Sequence, residues 1–200
     1  MTDTPVSTDV STNQMTIEEF VRLYDTEGAF EIIDGERKPV SPTVAGHNYI
    51  AKIILAALIK YEQQTGVGEV FFETPYIQLD TFDSQWVTGS KVPDLLFVLA
   101  DSLRTYREET PDWKAKPLII IPDVVVEVVS QNDLYSDIAK KIAIYQDEGV
   151  SLIWIVDPQT ENVTVHTQDR NQSTQLTKTM VLQGGDLLPD FELKLMDVFA

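Results

Sequence analysis

At 200 residues the chain can form one domain with a sizeable core, and its 43% hydrophobic and 24% charged residues are ordinary for a soluble globular protein. The absence of cysteine excludes disulfides, zinc–thiolate sites and cysteine nucleophiles. Fifteen basic against 32 acidic residues give a formal charge of −17, shared almost equally by the two halves, which argues against a protein that grips nucleic acid by phosphate neutralisation alone. An enzyme using divalent ions tolerates that deficit, because the ions bring positive charge to the phosphate. The richest apolar run, Leu118 to Val129, is interrupted by Pro122, Asp123 and Glu127 and is too short to span a bilayer. The N-terminus lacks the basic start and apolar stretch of a signal peptide, so a cytoplasmic protein without a membrane contact is expected.

Residues 1–14 are polar and are expected to form a flexible segment ahead of a single domain over 15–200. Thr16-Ile17-Glu18-Glu19 reads as a capping box opening a short helix through Tyr24. Phe30 to Val40 reads as a hairpin turning at Asp34-Gly35, in a register that sets Glu31 opposite Lys38 and Ile33 opposite Glu36. Ser41-Pro42 signals the start of a helix that runs to about Gln64, with His47, Ile50, Ile54, Leu58 and Tyr61 on one stripe. Strands are expected over 69–73, 76–79, 94–99 and 124–129, with 89–93 and 101–117 as loops. A second helix, Leu134 to Glu148, should close at Gly149. Strands over 151–156 and 162–166 follow, and the alternation returns between Val181 and Phe199. The order implies a mixed α/β fold: a mixed central sheet flanked by helices, with an N-terminal hairpin and extra C-terminal strands.

Two carboxylates stand out within apolar strands. Asp94 opens KVPDLLFV directly after Pro93, and Glu127 sits inside DVVVEVVS. A carboxylate inside a buried strand is costly unless paired, hydrogen-bonded or bound to a metal. The residues alone leave the readings of Glu127 open: a satisfied ion pair, a side chain on a solvated sheet face, or a functional site. Together the two suggest a hard-cation site, since magnesium takes one or two carboxylates and keeps several waters. The same pair could serve glycoside hydrolysis, but the three scattered tryptophans do not resemble a sugar cleft. On the second helix, Asp137, Lys141 and Tyr145 recur every four residues. Lys141 points into the stripe of Leu134, Ile138 and Tyr145, whereas Lys140 points well away from it. A weak Asp137–Lys141 helix pair is the plain alternative.

These segments in this order resemble the Uma-type restriction endonuclease family, a branch of the PD-(D/E)XK nuclease superfamily. The resemblance runs from Met15 to Phe199. It rests on FEIIDGE (30–36), SPTVAGHNYI (41–50), VPDLLFV (92–98), PDVVVEVVS (122–130), the D-x3-K-x3-Y-x3-GV run of 137–150 and LIWIVDP (152–158). It implies that Asp94 and Glu127 bind Mg2+ or Mn2+ with the Val128 carbonyl as a further ligand. The superfamily's usual lysine would stand at Val129; Lys141 matches the position from which this branch supplies it. Glu36 and His47 match accessory positions of the active site, although Glu36 could simply end a hairpin and His47 could be a hydrogen-bonded core histidine. The resemblance further implies hydrolysis of nucleic acid, DNA before RNA, and a homodimer, because double-strand cutting commonly uses two sites. The charge of −17 and Val129 keep a second reading open: a nucleic-acid-binding or regulatory protein that retains the fold without turnover.

Overall fold

A computed structural model describes residues 15–131, 133–170 and 172–200, so the expectation for residues 1–14 lies outside it. The first elements are β1 (Met15–Thr16), α1 (Ile17–Glu27), the hairpin β2 (Phe30–Ile33) and β3 (Glu36–Pro39), and α2 (Ala45–Thr65). Next come β4 (Gly68–Phe72), β5 (Tyr76–Leu79), β6 (Trp86–Lys91), β7 (Leu95–Leu99) and α3 (Ala100–Glu109). The chain continues through β8 (Val124–Val128), α4 (Tyr135–Glu148), β9 (Leu152–Asp157), β10 (Asn162–Thr167) and β11 (Ser173–Thr177). It closes with β12 (Val181–Gly184), β13 (Leu188–Lys194) and α5 (Leu195–Val198).

The central sheet has the strand order β11-β10-β9-β8-β7-β4. Only β8 and β9 run parallel; the other neighbours are antiparallel, giving the mixed sheet expected. Alternation sorts its side chains onto two faces. Leu95, Phe97, Val124, Val126 and Trp154 pack with Ile54 and Leu58 of α2, Phe191 of β13 and α5. Leu96, Val98, Val125, Ile153 and Ile155 pack with Leu103 and Tyr106 of α3 and Tyr145 of α4. A second sheet is built on β6, which carries β5 along one edge and β1 and then β2 along the other. Phe20 and Leu23 of α1 fill its inner side. Among the described residues, no helix is long and apolar enough to cross a membrane.

The hairpin forms in the expected register, Glu31 with Lys38 and Ile33 with Glu36, and Asp34 and Gly35 both adopt positive φ (55° and 76°) as a tight primed turn requires. The Thr16 hydroxyl accepts from Glu19 N at 3.2 Å, but α1 continues three residues beyond Tyr24. Three expectations are corrected. Ser41-Pro42 does not open α2: the helix begins at Ala45 without a side-chain cap, and residues 40–44 form an extended strap, in keeping with the bias of the residue before proline away from helix. The expected loop 101–117 contains α3, a charged helix that buries only Leu103 and Tyr106. The expected loop 89–93 is largely the end of β6, where Gly89 lies so close to Gln78 that a Cβ would meet its Oε1 at 2.7 Å.

Candidate active site

The register of β7 and β8 pairs Leu95 with Val126 and Leu96 with Val125. Continued by one pair, it sets Asp94 opposite Glu127, and directly opposed residues have Cβ atoms about 5 Å apart. Glu127 follows the alternation of Val125 and therefore faces α4, the helix that connects β8 to its parallel neighbour β9. From α4, Lys141 places Nζ 3.3 Å from Glu127 Oε1 and 3.3 Å from Glu31 Oε1. The Tyr145 hydroxyl, one turn further on, donates to the same Glu127 oxygen. Asp94 Oδ2 accepts from Val128 N at 2.7 Å and lies 3.2 Å from Nε2 of His47, which enters from the first turn of α2. Glu31, His47, Asp94, Glu127, Val128 and Lys141 line a cleft of about 330 Å³, walled by residues of the hairpin and strap and of α4, with Tyr145 buried behind it.

The structure thus brings together Asp94, Glu127, Val128, Lys141 and His47, and leaves Glu36 out. Glu36 is exposed beside the hairpin turn and does not line the cleft. Its register partner is Ile33, so the carboxylate the hairpin contributes comes from Glu31, on the buried strand β2. Glu31 was invisible in the sequence because its cross-strand position opposite Lys38 explains a surface pair equally well. Its side chain is buried, and Oε1 also accepts from Val92 N at 3.1 Å. Leu134, assigned to the buried stripe of α4, is exposed, since it caps the helix beyond the reach of the sheet. Tyr145 was legible as a stripe residue and as the third member of the recurrence with Asp137 and Lys141; the bond of its hydroxyl to Glu127 is the part the sequence does not declare.

The electrostatics follow from crowding. Burial, reinforced by the charges of Asp94 and Glu31, raises the Glu127 pKa to about 7 against the pull of Lys141 and the Tyr145 hydrogen bond. Burial pulls the Lys141 ammonium down, but Glu127 and Glu31 more than offset it and hold it above the ordinary lysine range. The hydrogen bond to Asp94 raises the His47 pKa against burial, and the Val128 backbone adds to the same effect. Burial and the neighbouring Glu127 charge push the Tyr145 phenol well up, so it remains a donor.

Among the described residues there is no group of three His, Asp or Glu side chains arranged to cage a metal. Asp94 and Glu127 each use one oxygen in the contacts above, and between described residues no hydrogen bond engages Asp94 Oδ1 or Glu127 Oε2. Two hard oxygen donors opposed across a sheet, in a cleft open to water, fit magnesium or manganese holding most of its hydration shell. They do not fit a closed structural site.

The mixed sheet opposes a strand-entry aspartate to a strand glutamate beneath a lysine from α4, the placement that the resemblance to nucleases leads one to expect. The chain belongs to the Uma2 family, described as "Putative restriction endonuclease", which it matches over residues 17–196. Among solved structures it is similar to a crystal structure described as a putative nuclease belonging to DUF820 from Anabaena variabilis. The two are 18% identical and superpose with a TM-score of 0.73 over 92% of this chain and 97% of that one, a likeness of fold. A search of curated proteins found no match.

Proposed function

We propose that this chain is a metal-dependent endonuclease that hydrolyses phosphodiester bonds of DNA. One observation carries the reading: Asp94, Glu127 and Lys141, from three elements, converge on one cleft, and the lysine arrives from α4 where the strand offers only Val129. Asp94 and Glu127, with the Val128 carbonyl, would hold Mg2+ or Mn2+. The bound ion would supply Lewis acidity toward a phosphoryl oxygen and toward the attacking water. Lys141, held above its ordinary pKa by Glu127 and Glu31, is an ammonium at neutral pH in the metal-free protein and is placed to donate to the phosphate as negative charge builds on it. Tyr145 fixes the Glu127 carboxylate, leaving its second oxygen for the ion, and His47 does the same for Asp94. Five carboxylates against three lysines along the cleft make it favour a cation before it can accept a phosphate.

Calorimetric titration with Mg2+ and Mn2+, followed by cleavage of plasmid and single-stranded DNA, tests the proposal. Binding by the wild type that is lost in Asp94→Asn, together with cleavage that chelation abolishes, is the expected result. Metal binding without cleavage of any DNA would favour the second reading, a binding protein without turnover, which the −17 charge and the prior engagement of Lys141 by two carboxylates support.

A further inference from the structure

The two walls of the cleft are tied to each other. Asp34, at the tip of the β2–β3 turn, is ion-paired with Lys140 of α4 at the surface. Deeper down, Glu31 of the same hairpin is ion-paired with Lys141 of the same helix. Both links cross from hairpin to helix and so tie together the two elements that flank the carboxylates. The strap and the chain around Asp133 and Asp137 also line the cleft. At about 330 Å³, the space sits at the lower end of pockets that take one small molecule, roughly 300–1,000 Å³.

We infer that the substrate taken into this cleft is an unpaired DNA strand, a single-stranded segment or a frayed end, and not an intact duplex. The inference rests on the nuclease reading above and narrows its substrate. A double helix is a stiff cylinder whose phosphates reach a carboxylate pair only where the pair stands at an open edge. A single strand bends, and one nucleotide at a time can enter a bridged cleft. The charge distribution points the same way. Duplex binding draws its strength from cations that neutralise phosphates. Of the 15 lysines and arginines, at least ten are already ion-paired with carboxylates of this chain. The strap offers a different kind of contact. Pro39, Val40, Pro42 and Val44 line the cleft, with Val40 36% and Val44 60% exposed. Apolar surface of that kind meets bases and sugars once they are unstacked, and single-strand recognition relies on such base contacts more than duplex binding does.

The test uses the whole chain and one labelled oligonucleotide, either alone or annealed to its complement. Fluorescence anisotropy in Ca2+ reads binding, and gel assays in Mn2+ and Mg2+ read cleavage. The single strand is expected to bind more tightly and to be cut about tenfold faster or more than the blunt duplex at equal ionic strength. Asp34→Ala, which opens the surface bridge, is expected to shrink that ratio by raising duplex cleavage. A duplex bound and cut as well as the single strand by the wild type overturns the inference while leaving the nuclease reading in place. Cleavage of neither form overturns the nuclease reading itself, and this inference with it. An unchanged ratio in Asp34→Ala overturns the bridge as the source of the preference.

Discussion

Two lysine–glutamate clusters lie on the same face of α4, and they are built to opposite ends. Lys141, Tyr145 and Glu148 follow one another at helical spacing. At the C-terminal end, Glu148 meets Lys91 of β6 at 3.3 Å and accepts from the Tyr76 hydroxyl, while Lys91 also donates to the Ile32 carbonyl. Both side chains are sealed, at 4% and 7% exposure, and one positive charge answers one negative. At the other end, Lys141 is 30% exposed and faces Glu127 and Glu31, with Asp94 close by, so negative charge is in excess and open to water. A balanced, closed pair can only hold the second sheet against α4. An unbalanced, open cluster is suited to bind something cationic and then something anionic. The same residue types therefore divide into scaffold and chemistry according to stoichiometry and access.

The largest expected effect is on activity at the open cluster. Glu127→Gln should abolish cleavage in a plasmid assay while the circular dichroism of the folded protein is retained; an active Glu127→Gln enzyme would remove Glu127 from the catalytic site. At the closed cluster the loss should fall on stability. Lys91→Ala leaves Glu148 buried without its partner and should cost about 3–5 kcal/mol in urea unfolding. A Lys91→Ala protein as stable as wild type would break the contrast. Lys141→Ala should slow cleavage about 100-fold or more, as removal of a transition-state donor does, with metal affinity in calorimetry unchanged or raised because a repelling charge is gone. Weakened metal binding would instead make Lys141 part of the metal-holding structure.

A pH measurement sharpens the comparison. In the metal-free folded protein Glu127 keeps its proton up to about 7, whereas in the unfolded chain it releases it near 4.5. Between those values the folded state carries an extra proton at Glu127, so the contribution of this group to stability should fall as pH rises and be lost above about 7. The amplitude is at most about 3 kcal/mol. The slope between about pH 4.5 and 6.5 should shrink in Glu127→Gln, which is then the more stable protein at neutral pH, while the part above about 6.5 that His47 contributes should remain; an unchanged slope below 6.5 would place its origin elsewhere. The smallest effect is reserved for Lys140. Its pair with Asp34 is exposed, so Lys140→Ala should leave the thermal midpoint unchanged, and a marked drop would show the hairpin to depend on that link.

The carboxylates were legible in the sequence because their surroundings made them expensive. Valines flank Glu127, and Asp94 opens an apolar run, so strand periodicity alone placed them in the core sheet. Lys141 was legible because helical phase set it on the stripe and Lys140 off it. The hairpin's contribution was not legible, because a four-residue strand paired to an exposed one gives no sign of which face is covered. Only the docking of β2 against β6 buries Glu31 and leaves Glu36 at the surface. Lys91 was hidden for a related reason. A lysine after Gly89 and Ser90 reads as loop until a distant glutamate on α4 neutralises it. Helix α3 was missed because two buried residues in a charged segment give little periodicity.

The parallel pairing of β8 with β9 bears on how such a site can change over evolutionary time. Parallel neighbours require a crossover, and its handedness is nearly fixed, so α4 must return across the face that bears Glu127 whatever its sequence. Topology guarantees the approach of this helix, and sequence has only to choose which residue on its underside is basic. Val129 lies on that same face, partly buried against Ile138 and its neighbours. A lineage could therefore move the cation between strand and helix by two substitutions, with no change of fold between them. Designed as the pair Val129→Lys with Lys141→Ala, the exchange would make the two placements interchangeable solutions within one architecture.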